Sequence, residues 1–180
     1  MHKSSLKLYY FIEEFKKSII DKQSKNTGII YRNYKKNYKI SEIIFIRDYC
    51  RRKNLKFYLS NNIKLSIHLD LDGTYLPSFN KNYNHLSYKF KKNFVLIGSA
   101  HNLKEIRIKQ KQKVKEIFIS SVFKNNGNFL GINKFKILSS YSKENVIGLG
   151  GVSKENFKLL NLTKSVGFAG ISYFSKKKGP

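Results

Sequence analysis

The 180 residues suffice for one domain with a substantial core and are short for two. Hydrophobic residues make up 41% of the chain, which excludes a disordered polyelectrolyte despite a net charge of +25, and no apolar run reaches the roughly 18 residues of a membrane helix. The chain carries 31 lysines against 5 arginines, with 18 asparagines, 20 isoleucines and only two alanines, so A/T-rich codon usage accounts for much of the charge without a nucleic-acid partner.

In chain order, Lys7–Ile12 (KLYYFI) and Thr27–Tyr31 (TGIIY) read as strands that are apolar throughout, the pattern of strands buried on both faces. Ser41 is the expected N-cap of a helix whose Ile43, Ile46 and Cys50 share a face. Strands follow at Lys56–Ser60 (KFYLS) and Gly73–Leu76 (GTYL). Residues 81–94 (KNYNHLSYKFKKNF) interleave rings with lysines, which reads either as a helix and loop that bury the rings or as a stacking surface for RNA. Residues 94–98 (FVLIG) form the fifth predicted strand, and Asn102 heads a helical segment reaching Lys115. Glu116–Ser120 (EIFIS) and Asn145–Leu149 (NVIGL) are the next strands. Ser153 then reads as a helix start with Glu155 in its first turn, before an eighth strand at 166–169 (VGFA) and a basic tail at 176–180.

Strand–helix alternation implies right-handed crossovers and a parallel sheet. Eight such units predict a compact (β/α)8 TIM barrel over residues 1–175, with shortened helices because the length falls below the usual lower bound of about 200. A flavodoxin-like open sheet is the alternative. The single cysteine, Cys50, allows no internal disulfide, and the short apolar stretch before Glu13 and Glu14 does not read as a secretory signal. A cytoplasmic location is expected.

In such a barrel the chemistry sits where strands end and loops begin, with phosphate held after strands seven and eight. Five of the 11 glycines fall between Gly148 and Gly170. Gly150 and Gly151 follow the seventh strand, and Gly170, Ile171 and Ser172 follow the eighth, where backbone amides and a hydroxyl suit a phosphate.

GLGGVSKENFKLL followed by VGFAGIS resembles the C-terminal signature of the thiamine-phosphate synthase/TenI family, in which these turns hold a thiazole phosphate. Residues 57–81, FYLSNNIKLSIHLDLDGTYLPSFNK, are similar to the family's LLINDRVDLALALGADGVHLGQEDL without a gap. IGSAH at 97–101 looks like the family's GxSxH, which implies Ser99 and His101 as site residues, and IIYRNYK at 29–35 looks like QLRxK, which implies Arg32. The resemblance further implies a diphosphate subsite from Arg32, Lys35, Ser60 and Asn61, and Mg²⁺ as cofactor. However, Asn61 and Asn80 stand where the family has carboxylate ligands, Ile30 and Tyr34 replace its Gln and Lys, and amides are poor Mg²⁺ ligands.

Three readings follow from the resemblance. The chain couples thiazole phosphate to a pyrimidine diphosphate, with Arg32, Lys35, Lys36 and Lys124 replacing lost charge. Alternatively it is a TenI-like tautomerase with His101 as general acid and base, or a non-catalytic binder of thiazole phosphate. Asp72 is expected to serve structure, and Asp70 to lie at the far end of the barrel. His68 and His85 are expected to be surface or packing residues. A homo-oligomer stays open, and a basic RNA-associated protein is a further alternative.

Overall fold

The computed structural model describes residues 6–34 and 39–170. Eight parallel strands close a barrel in sequence order: β1 Lys7–Ile12, β2 Thr27–Tyr31, β3 Lys56–Ser60, β4 Gly73–Leu76, β5 Val95–Ala100, β6 Glu116–Ser120, β7 Asn145–Leu149 and β8 Ser165–Gly170. β8 returns to pair with β1, with Tyr10 opposite Gly170, so no sheet edge is left and the open-sheet alternative is excluded. β5 runs two residues past its expected end, carrying Ser99 and Ala100 into the ladder beside Phe118 and Ile119. β8 likewise extends to Gly170.

Alternation along each strand divides the apolar residues between two cores. Tyr9, Phe11, Ile30, Tyr58, Tyr75, Ile97, Phe118, Ile147 and Ala169 fill the barrel interior. Tyr10, Ile12, Ile29, Tyr31, Phe57 and Leu59, one position along, pack outward under the helices. Both faces are therefore apolar, which is why the strands read as continuous runs. Inside, the Tyr9 and Phe118 ring centroids lie 4.9 Å apart and those of Phe11 and Tyr75 5.3 Å, edge to face in the second pair.

The crossovers are short: α1 Lys17–Ile20, α2 Ile40–Arg52, α3 Ile63–His68, α4 Leu103–Lys111 and α5 Gly131–Ser140. Ser41 is not the cap of α2. The helix begins two residues earlier, at Ile40 behind Lys39, and Ser41 lies in its first turn. Asn102 does cap α4, its side chain accepting from the Glu105 amide. That helix ends at Lys111, because Lys113 takes a left-handed conformation (φ 56°) that an α-helix does not accommodate.

The helix expected from Ser153 is absent. The Asn156 carboxamide accepts the Ser153 amide and donates to the Gly151 carbonyl, drawing the chain into turns before a 3-10 helix at Phe157–Leu162. Residues 81–94 also differ from the expected helix. They hold a 3-10 turn at Asn84–Ser87, with His85 buried and Phe90 and Phe94 stacked at 5.0 Å.

At the N-terminal end of the barrel, the buried Glu116 carboxylate accepts from the Lys7 ammonium and, at 2.6 Å, from the Tyr9 hydroxyl. Asp72 accepts the Phe57 amide and the Lys56 ammonium, each at 2.9 Å, the expected structural role. Asp70 pairs on the surface with Arg51 and Lys91. No helix among the described residues is long and apolar enough to cross a membrane.

Candidate active site

The strands end in a polar layer that begins inside the barrel. Ser60, Ser99 and Ser120 occupy the last interior positions of β3, β5 and β6, and all three are buried. A hydrogen bond links Ser99 to Tyr75, whose phenol is pushed up to about 12, mainly by burial.

One half of the mouth is built by the ends of β5 to β8. Gly150 and Gly151 have φ of 97° and 72°, a region that side chains strongly disfavour. The backbone of the β6 loop also lies against them. A Cβ at Gly150 would overlap the Ser121 hydroxyl, and one at Gly151 would overlap the Phe123 carbonyl carbon and the Lys124 amide. The Gly150 carbonyl accepts from Phe123 at 2.8 Å and Lys124 at 3.2 Å, while Val122 donates to Leu149. The two turns are thus stitched into one surface. Among the described residues, a Cβ at Gly170 would meet nothing within 4 Å.

His101 follows β5 and is held at both ends. Its amide donates to the Glu105 carboxylate at 2.7 Å, and Nδ1 lies 3.0 Å from the Ser120 carbonyl and from the Ser120 hydroxyl. A carbonyl only accepts, so that bond requires the Nδ1–H tautomer and leaves the Nε2 lone pair on the other side of the ring.

The other half of the mouth, over β2 to β4, carries Arg32 just past the end of β2. That guanidinium lies 4.8 Å from the Phe11 ring centre and 3.9 Å from Glu13. The Tyr34 hydroxyl shares a 2.9 Å hydrogen bond with Ser60, and its ring meets Phe79 edge to face at 5.7 Å. Burial pushes the Tyr34 phenol up, against the pull of the Ser60 bond and of Arg32. Asn80 donates to Asn61 Oδ1 at 2.7 Å, and its own Oδ1 accepts from the Asn82 amide and from Gln112.

Those bonds test the fit of a metal. Mg²⁺ demands hard, mostly anionic oxygens at about 2.0–2.1 Å. Here one amide points N–H at the other amide's oxygen, and the second oxygen already carries two donors. Among the described residues there is no group of three or more His, Cys, Asp or Glu side chains that could hold a metal ion. The donor set does not fit Mg²⁺.

Beneath this half sits Lys109, fully buried. Its ammonium donates to the carbonyls of Pro77 and Asn80, each at 2.7 Å, and to Gln112 Oε1 at 3.0 Å. Burial pulls its pKa down to about 8.

Of the residues expected at the site, Arg32, Ser60, Asn61, Asn80, Ser99, His101, Gly150, Gly151 and Gly170 all lie at the C-terminal ends of strands or just beyond. Lys35, Ile171 and Ser172 lie outside the described residues, as does Lys36. Lys124 is exposed and meets the glycine turn through its backbone. Sequence reasoning missed Tyr75, Ser120 and Glu105, and the Lys109–Gln112 pair. Tyr75 was within reach, being the second interior position of β4 after Gly73; a lysine three residues after Ile106 on an apolar helix face was the signal for Lys109.

A closed parallel barrel with a glycine turn after its seventh strand and a polar mouth at its C-terminal end belongs to the TIM-barrel class, whose sites are built on that end. Within that class, residues 18–174 match the family model described as thiamine monophosphate synthase, and the chain belongs to this TMP-TENI family of thiamine biosynthesis. Its fold is similar to a thiamine phosphate pyrophosphorylase from Pyrococcus furiosus, with TM-score 0.77, 21% identity, and 94% of this chain and 87% of that one covered. It is also similar to a structure described as native KDPGal (TM-score 0.70, 13% identity, 98% and 88% covered). A third likeness is FabK from Thermotoga maritima (TM-score 0.68, 10% identity, 96% and 60% covered). No curated protein sequence matches the chain.

Proposed function

We propose that the chain binds a thiazole phosphate with the β6–β8 half of the mouth and moves a proton on it through His101, and that it does not couple that ligand to a pyrimidine diphosphate. The observation that carries this reading is the Asn61–Asn80 hydrogen bond. Departure of diphosphate needs its developing charge neutralised by cations. At those positions this chain has two amides bonded to each other.

The phosphate would meet backbone amides around Gly150, Gly151 and Gly170, and Ile171 and Ser172, which lie outside the described residues, are proposed as further partners. His101 Nε2, freed by the Nδ1–Ser120 bond, takes a proton from one ring carbon, and the imidazolium returns it at another position. A tautomerisation conserves atoms and electrons, so this step consumes no metal and no co-reactant. Histidine is the side chain most often used as a general acid and base in catalysis.

The test is a pair of product assays on the purified protein, with thermal-shift titration of thiazole phosphate beside them. Proton exchange or tautomerisation of the thiazole phosphate is expected, and is expected to fall about 10²–10⁴-fold in His101→Ala with affinity changed less than about threefold. Thiamine phosphate formed from thiazole phosphate and the pyrimidine diphosphate would overturn the reading. Absence of any stabilisation by thiazole phosphate would remove its binding half as well.

A further inference from the structure

The loop after β4 carries Phe79 and Asn80 over the mouth, yet it is an irregular stretch in which Pro77 to Asn82 must expose backbone carbonyls. Three of those carbonyls turn inward. The Pro77 and Asn80 carbonyls converge on the Lys109 ammonium, and the Asn80 and Asn82 carbonyls accept from Gln112 Nε2, at 3.3 and 2.8 Å. Gln112 also closes the circuit from below, its Oε1 accepting from Lys109 and its backbone carbonyl bonded to His85 Nε2 at 2.8 Å. Lys109 and Gln112 are both completely buried.

An ammonium has three donors, and here all three have oxygen partners, so nothing in the arrangement is left unsatisfied. The nearest acidic group on its own helix, Glu105, bonds the His101 amide. Two of the cation's three partners are therefore carbonyl dipoles of the loop itself and the third is the Gln112 amide oxygen, atoms gathered around a buried positive charge as they would be around a bound metal ion.

We propose that Lys109, braced by Gln112, is the internal cation that positions the β4 loop, so that the Asn61–Asn80 pair and Phe79 are held in place without a divalent ion. Lys109 is a positioning residue. It touches no reacting atom and acts through the Pro77 and Asn80 carbonyls. The inference rests on the loop's own bonds and stands whether the barrel tautomerises its ligand or couples it.

Local hydrogen exchange on the full chain tests it, in the absence of substrate. Lys109→Met keeps the length of the side chain and removes the donors. Protection of the amides in residues 77–84 is expected to fall about 10-fold or more, while β1, β7 and β8 keep theirs. Lys109→Arg is expected to restore part of that protection. Loss spread evenly over the barrel would overturn the proposal, since a merely space-filling lysine would act that way, and so would unchanged protection of the loop. If Lys109→Met does not fold, Gln112→Met is expected to give the same local loss. The unaltered protein supplies the last arm: MgCl2 at 5 mM, against NaCl of equal ionic strength, is expected to leave loop exchange and the thermal midpoint unchanged. A saturable gain in protection with Mg²⁺ would show that a metal, not Lys109, organises the loop. Neither readout depends on thiazole phosphate, so failure here is distinct from failure of the proposed function.

Discussion

The two halves of the barrel mouth reach order by opposite means. Over β6 to β8 the backbone does the work: consecutive left-handed glycines let the β6 loop lie directly on the β7 turn, and the Gly150 carbonyl serves two amides at once. Over β2 to β4 the side chains do it. Tyr34 bonds Ser60, Asn80 bonds Asn61, and a buried lysine holds the loop from beneath. A half made of backbone tolerates no added side chain, whereas a half made of side-chain pairs can lose one bond and keep its shape. Under the proposed function the difference also separates roles. Glycine turns present amides to an anion, while mutually satisfied amides offer little to a metal–diphosphate group.

The largest effect is therefore expected at Gly151→Ala. The added Cβ occupies a left-handed position, at about 1–2 kcal/mol, and overlaps β6-loop backbone that has no flexible end to move aside. A total of about 2–4 kcal/mol is expected, seen as a fall of roughly 5–15 °C in the thermal midpoint, together with loss of thiazole-phosphate binding. A variant that kept full affinity would show that the phosphate does not use this turn.

Asn80→Ala probes the other half and is expected to cost less. It removes the bond to Asn61 and the acceptor for the Asn82 amide, both in exposed surroundings where water replaces lost partners, and one acceptor of the buried Gln112, whose Nε2 keeps the Asn80 and Asn82 carbonyls. About 1 kcal/mol is expected from chemical denaturation, with thiazole-phosphate affinity within about twofold of the unaltered chain. A tenfold loss of affinity would join the two halves into one site.

How much of this was legible beforehand differs between the same two halves. Strands were readable because both faces of each are apolar: KLYYFI and EIFIS could belong only inside a layered fold, and six of the eight strand ranges agree with the structure. The glycine turn was readable because alanine has nearly vanished from this chain, so glycines retained at 150 and 151 marked a backbone requirement, and positive φ is what the structure has there. The amide half was visible only as missing carboxylates. That Asn61 and Asn80 bond each other, and that Lys109 lies beneath them, depends on residues 19 to 32 positions apart meeting in space, for which no local pattern exists. The missing helix after Ser153 failed for a related reason. Ser-x-Glu is a fair helix start, but the Asn156 side chain competes for the Ser153 amide and the Gly151 carbonyl, and wins.

The smallest effect, and the finest test of independence, belongs to Tyr34→Phe. The substitution keeps the ring against Phe79 and removes only the hydroxyl that meets Ser60, at a residue 52% exposed. A neutral hydrogen bond in such a setting contributes about 0.5–1 kcal/mol, so a change of about 1–4 °C in the thermal midpoint is expected. Affinity for thiazole phosphate should stay within experimental scatter, because Tyr34 shares no hydrogen bond with the glycine turns. Tyr34 is nevertheless close enough to Arg32 for that charge to pull on its phenol. If affinity changed fivefold while stability did not, the coupling would run through Arg32, and the guanidinium would have to be counted in the phosphate half despite its place at the end of β2. Arg32→Met made in the Tyr34→Phe background would then add nothing further, whereas for two independent halves the effects of the two substitutions sum.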